Sequence, residues 1–171
     1  MAHRYLVGFS YKTHFFARAI MWVTSSKFSH CYIVKECDAC GLKEVLEANH
    51  RGVNDGPYDL FLAEGALGIE EFVVQQDLDA LDAAWDQTRR NRLHRPYSYL
   101  QILGDALVIG LQTIVKRSLP NPFNQRKADV CSELVLVWLR QAQIEGFDHF
   151  DPATVTPEDL IQVFHAKADK A

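Results

Sequence analysis

The two parts of this 171-residue chain carry different hydrophobic periods, and that segregation most constrains its fold. Extended, strand-like runs dominate the first part: residues 4–9, 28–35, 44–50, a segment near Val53, and residues 69–75. One helical stretch interrupts them, residues 12–24, with Phe15, Phe16, Ala19, Ile20 and Val23 on one face. From Asp77, a candidate N-cap, the period turns helical. The spacing predicts helices over residues 77–93, 99–119 and 131–142, with breaks at Pro96 and at Pro120-Asn-Pro122. A last short helix is predicted after Thr156-Pro157-Glu158-Asp159, where Pro stands at the first helical position and acids fill the first turn. Strands followed by helices point to an α+β domain with an antiparallel sheet packed against helices. No repeat or linker divides the chain, so residues 1–171 read as a single domain.

Composition narrows the function classes. An apolar fraction of 48% and a charged fraction of 23% are ordinary for a globular domain. A formal charge of −4 argues against nucleic acid as the main partner, because neutralising phosphates needs a surplus of Lys and Arg. The run Arg89, Arg90, Arg92, Arg95 reads as a solvated helix face. The most apolar stretch, residues 99–115, contains Gln101, Asp105 and Gln112 and falls short of a bilayer span, so it reads as a buried helix. The start of the chain enters a strand without an apolar leader, which sets the expected location as the cytoplasm. Of four cysteines, Cys37 and Cys40 have the spacing of half a zinc site, but a second pair of ligands at suitable spacing is missing. They read as a plain turn, with no metal and no cofactor expected.

The sharpest chemical feature is Asp129-Val-Cys-Ser-Glu-Leu-Val135, where a polar loop meets an apolar helix with Cys131 at the junction. Unpaired N–H groups and the helix dipole favour a thiolate there by about 0.3–1 kcal/mol, too little to ionise a thiol of ordinary value about 8.5 at neutral pH. An imidazolium partner is needed. The candidate is His30, in Phe28-Ser-His-Cys-Tyr-Ile-Val34, at the start of a strand that turns back through residues 44–50. A turn centred on Asp38-Ala39 sets Glu47 opposite His30, near enough to accept the second ring N–H and fix the tautomer. A two-residue slip would bring Asn49 there instead. Strand alternation puts His30, Tyr32, Glu47 and Asn49 on one face and Cys31 on the other, as a small apolar filler.

These segments, with Val45-Leu-Glu-Ala48 and Thr156-Pro-Glu-Asp-Leu160, resemble the circularly permuted NlpC-like papain-fold proteins, a group similar to the lecithin–retinol acyltransferase relatives. In that pattern a Ser-His strand comes first and a Cys-Ser-Glu-Leu-Val helix comes late. The resemblance implies a permuted papain-like fold, with Cys131 as nucleophile, His30 as base and Glu47 as orienting residue. Tyr97 resembles a tyrosine placed beside the site in some members and is a candidate hydrogen-bond donor to an oxyanion, with Ser29 a second pocket candidate.

Three functions fit. The first is a cysteine peptidase or amidase acting on peptidoglycan-type peptides through a thioester, in which the Cys131 backbone N–H helps hold the oxyanion. In the second, an acyl-ester hydrolase or acyltransferase uses the same chemistry. The third is a non-catalytic binding or assembly module. A bacterial, phage or prophage source fits such a chain.

Overall fold

The computed structural model describes residues 3–13, 15–24, 26–97 and 130–169; the helix expected over residues 99–119 lies outside them. Five strands form one antiparallel sheet: β1 (His3–Tyr11), β2 (His30–Cys37), β3 (Lys43–Asn49), β4 (Gly52–Pro57) and β5 (Leu67–Val73), in the order β4-β3-β2-β1-β5. The helices are α1 (Phe15–Thr24), α2 (Tyr58–Ala63), α3 (Leu78–Arg92), α4 (Cys131–Gln141) and α5 (Pro157–Ala168). The protein is thus α+β. Among the described residues, no helix is long and apolar enough to cross a membrane.

Strands β1 and β2 are covered on both faces, which is why their sequences read as nearly continuous apolar runs. One face carries Tyr5, Val7, Phe9, Cys31, Ile33, Leu46 and Ala48 into the main core, shared with α3, α4 and α5. The opposite face carries Leu6, Tyr32, Val34 and Val45 into a smaller core closed by Tyr58 and Phe61 of α2. Helix α3 starts at the expected cap, where the Asp77 side chain accepts from Ala80 N at 3.3 Å. Its Asp82 then fastens it to the sheet: Tyr5 Oη and Lys35 Nζ donate to Oδ1 at 2.6 and 2.9 Å, and His3 Nε2 lies at 2.7 Å. A capping box at Thr156 and Asp159 opens α5, as the Thr-Pro-Glu-Asp pattern predicts.

The structure departs from the sequence reading in four places. Strands β2 and β3 pair Ile33 with Leu46 and Val34 with Val45, so paired numbers add to 79 rather than the 77 expected. Extended along the strands, this register sets Asn49 opposite His30 and Glu47 opposite Tyr32. The cause is the turn, which occupies residues 38–41 instead of two residues: Gly41 N donates to Cys37 O at 2.8 Å, with Gly41 at φ +67°. Helix α2 has no counterpart in the expected elements, because six residues, Tyr-Asp-Leu-Phe-Leu-Ala, are too few to display a helical period.

Helix α1 turns Ala17 inward and leaves Phe15 79% exposed, where a buried Phe15 face was expected. Its sequence is apolar almost all round, so its stripe is poorly defined. The arginine run is no solvated face either. Arg89 pairs with Asp55 of β4, and Arg92 Nη1 donates to Glu133 Oε1 of α4 at 3.0 Å; Arg90 is the exposed member of the run.

Gly8 of β1 lies directly under the Tyr32 ring, and a Cβ there would overlap Tyr32 Cε2 and Cζ. Tyr32 in turn stacks on the His30 ring, with centroids 6.1 Å apart and planes at 26°. Gly8→Ala is therefore expected to destabilise the protein by about 1–3 kcal/mol in urea unfolding, the usual cost of overpacking. Unchanged stability would show that Tyr32 has room to move.

Candidate active site

Helix α4 begins where the sheet's core face ends. Its N-cap, Val130, is extended and offers no side-chain acceptor, so no side-chain cap engages the first-turn N–H groups. Leu134, Val135, Leu136, Trp138 and Leu139 are all buried and hold the helix inside the main core. The residues flanking Cys131 fix its first turn. Ser132 Oγ donates to Val155 O at 2.7 Å, tying the turn to the segment before α5, and Glu133 accepts from Arg92 of α3. Cys131 itself is 5% exposed.

His30 opens β2 and is 8% exposed. Its Nε2 lies 2.6 Å from Glu47 Oε2 of β3, and the carboxylate is 4% exposed. The bond runs diagonally across the strand pair, because the register sets Asn49 opposite His30. Asn49 takes the next position in the chain: its Nδ2 donates to Glu47 Oε1 at 2.7 Å. Asn49 Oδ1 accepts in turn from Arg51 N at 2.9 Å and Asn54 Nδ2 at 3.1 Å. Both candidate orienting residues are thus used, Glu47 on the imidazole and Asn49 on Glu47. Phe61 of α2, 6.2 Å from the His30 centroid, and Tyr32 flank the ring.

Cys131 and His30 lie close enough for each to help hold the other charged. With Nε2 committed to Glu47, Nδ1 is the nitrogen left for the sulfur. The structure therefore joins His30 to Glu47 by a hydrogen bond and sets Cys131 within electrostatic reach of His30. Cys31 is a correction. It lies on the core face, as alternation requires, but that face also receives the Cys131 sulfur. Cys31 and Cys131 share the main core and lie close enough to act on each other's ionisation, so Cys31 belongs to the site and is more than filler.

Charge follows from these contacts. The hydrogen bond from Cys31 draws the Cys131 thiol down; burial opposes this, and the bond and charge of His30 carry it well below the ordinary thiol value. Burial alone favours a neutral His30, but its bonds to Cys131 and Glu47 and the Glu47 charge push it up to about 10. Burial likewise lifts the Glu47 carboxyl, yet the bond and charge of His30, with help from Asn49 and Lys12, hold it below the usual range. Burial pushes Cys31 well above the ordinary value, so it stays a thiol and a donor. All three shifts favour the same resting arrangement: thiolate, imidazolium, carboxylate.

Of the weaker candidates, Tyr97 packs against the main core that contains Cys131. Ser29 joins the ends of β1 and β2, its N donating to Ser10 O at 3.1 Å and its Oγ accepting from Lys12 N at 3.3 Å. Cys37 and Cys40 lie in the β2–β3 turn, where Cys40 N donates to Cys37 Sγ at 3.3 Å. Two site residues escaped the sequence reading besides Cys31 and Phe61. Lys12 adds positive charge near Glu47, and Ser10, paired with His30 across β1 and β2, buries a hydroxyl with no partner among the described residues. Nothing in the sequence marks Ser10. Cys31 carries a signal, its place beside a candidate base, which strand alternation argues away.

The sign of each shift fixes a pH dependence for alkylation. A lowered Cys131 loses its thiolate only as pH falls through its folded value, and a raised His30 loses its proton only as pH rises through about 10. Iodoacetamide should modify Cys131 at a plateau rate already at about pH 6–7, with no climb toward pH 9 where a free thiol of value about 8.5 accelerates. A rate that climbs like a free thiol's means that the ion pair does not form. No family model matches the chain, and no curated protein matches it.

Proposed function

We propose that this protein is a cysteine hydrolase with a circularly permuted papain-like fold, acting in the cytoplasm on amide bonds of peptidoglycan-type peptides. The observation that carries the reading is the buried set of a helix-start cysteine, a histidine and a carboxylate, contributed by α4, β2 and β3. The His-first, Cys-late order resembles the permuted NlpC-like pattern, and so does the chemistry it supports.

The Cys131 thiolate attacks the amide carbonyl, forming a C–S bond and a tetrahedral oxyanion. The Cys131 backbone N–H at the uncapped start of α4 donates to that oxygen, with Tyr97 a candidate second donor. His30, protonated on both nitrogens, gives a proton to the leaving amine as the C–N bond breaks, leaving a thioester on Cys131. The now neutral His30 takes a proton from water, whose oxygen attacks the thioester. Collapse releases the acid and restores the thiolate and imidazolium. Glu47 holds the ring through Nε2 in both protonation states, and Asn49 holds Glu47.

A second reading, hydrolysis or transfer of an acyl ester, is favoured by the surface next to the site. Leu60 and Leu62 stand 64% and 37% exposed on either side of Phe61, so apolar side chains lie on the helix that covers His30. Comparing matched fluorogenic peptide-amide and acyl-ester substrates separates the two.

With the better substrate, Cys131→Ala should abolish turnover. His30→Ala should lower kcat by about 10²–10⁴, the usual worth of a positioned acid–base group. Glu47→Gln should cost less, since an amide still orients the ring but does not support its charge. Turnover that survives Cys131→Ala, or a Cys131 that alkylates no faster than a free thiol, would make this a binding or assembly module built on a hydrolase scaffold.

A further inference from the structure

Cys31 takes no step of its own in the proposed hydrolysis, although it helps draw the Cys131 thiol down. It follows His30 directly on β2, is fully buried, and shares the main core with Cys131, where β2 packs against α4. Both are free thiols buried in the same core, close enough to act on each other's ionisation. The acid–base set and the oxyanion donor are complete without it. A small apolar residue would fill the same space on the strand. What a thiol adds, besides drawing the Cys131 thiol down, is a second sulfur close to the nucleophile.

We propose that Cys31 is a resolving thiol for Cys131, so that a peroxide converts the pair into an internal disulfide that shuts the site reversibly. The proposal rests on the reading of Cys131 as a thiolate nucleophile. In the first step the thiolate attacks a peroxide oxygen: an S–O bond forms, the O–O bond breaks, and hydroxide departs when the oxidant is hydrogen peroxide. Cys131 is oxidised to the sulfenic acid and the peroxide is reduced. In the second step the Cys31 sulfur attacks the Cys131 sulfur. The S–S bond forms, the S–O bond breaks, and the Cys31 proton leaves with the oxygen as water.

The surroundings favour this course over irreversible damage. Hydrogen peroxide is little larger than water, and Cys131 retains 5% exposure beside a His30 that is 8% exposed. The resolving thiol lies close by in the same core, so condensation competes with further oxidation to the sulfinic acid, which thiols do not reverse. Once in the disulfide, the Cys131 sulfur has no lone charge to attack a carbonyl, and His30 has lost its anionic partner.

The test uses the full chain carrying Cys37→Ser and Cys40→Ser, which removes the other adjacent pair of thiols. Hydrogen peroxide is added, and the protein is followed by non-reducing peptide mapping and by iodoacetamide labelling of Cys131. A Cys31–Cys131 cross-linked peptide lacking two hydrogens should appear, labelling should fall roughly tenfold or more, and dithiothreitol should restore it. With Cys31→Ser added, labelling should fall as well but should not recover, because Cys131 proceeds to the sulfinic acid; Cys31→Ala serves if the serine variant does not fold. Rapid labelling before peroxide, with no cross-link after it or with equal recovery in the Cys31 variant, would overturn the switch and leave the hydrolase reading intact. Slow labelling before any peroxide would instead remove the thiolate reading, and the switch with it.

Discussion

The bond from His30 to Glu47 is the constraint on which the rest of the site depends. A carboxylate that is 4% exposed can stay charged only beside a cation, and an imidazole that is 8% exposed becomes a cation only beside anions. Glu47 therefore decides the charge of His30, and His30 helps decide the charge of Cys131. The set is self-consistent in one arrangement of protons. Folding moves a proton from the thiol to the imidazole: between about pH 6.5 and 8.5 the unfolded chain holds it on sulfur and the folded chain on His30. The number bound is then the same in both states. The gain from raising His30, present below its unfolded value and lost toward about 10, offsets that from lowering Cys131, present above its unfolded value and lost toward acid. The pair leaves stability level across neutral pH, while Glu47 ties it to pH on the acid side, where its contribution disappears as pH falls through its lowered value.

Such a set needs sulfur, ring and carboxylate from three elements to meet closely. Residues 131–133 divide that work within one helical turn: Cys131 presents the sulfur, Ser132 bonds back to Val155, and Glu133 bonds sideways to Arg92. From the sheet side, Tyr32 and Phe61 flank the ring, and Tyr32 has its place because Gly8 leaves room under it. Helix α3, which supplies Arg92, is itself fastened through Asp82 to β1 and β2. Both sides of the site are thus referred to the same pair of central strands.

Much of this was legible in the sequence, and the misses share a physical cause. Cys131, His30 and Glu47 stood out because a helix start and a strand pair are local patterns. The turn length was not legible, since residues 38–41 offer more than one closure, and the register moved by two in the summed numbering as a result. Glu47 still reached His30 because a two-residue step keeps a side chain on the same face and a long carboxylate spans the diagonal. Cys31 and Phe61 were missed for a different reason. Which helix covers which face of a sheet is a tertiary fact, and no window of sequence contains it. Arg92 was misjudged likewise, because a charge run does not reveal that an acid waits on another helix.

One further consequence lies in how the chain travels between its two central strands. Strands β1 and β2 are antiparallel neighbours, yet the chain leaves one at Tyr11 and enters the other at His30 by way of α1. The two ends of this excursion are pinned at its base, Ser29 N to Ser10 O and Lys12 N to Ser29 Oγ. Because loop closure depends only weakly on length, the tip can be long, short or rebuilt at little cost to the sheet. Evolution can therefore edit the stretch that carries Phe15 and Trp22, both outward-facing, while His30 stays in place a few residues downstream. The fold separates a part that must not change from a part that is cheap to exchange, and the seam runs through a single serine.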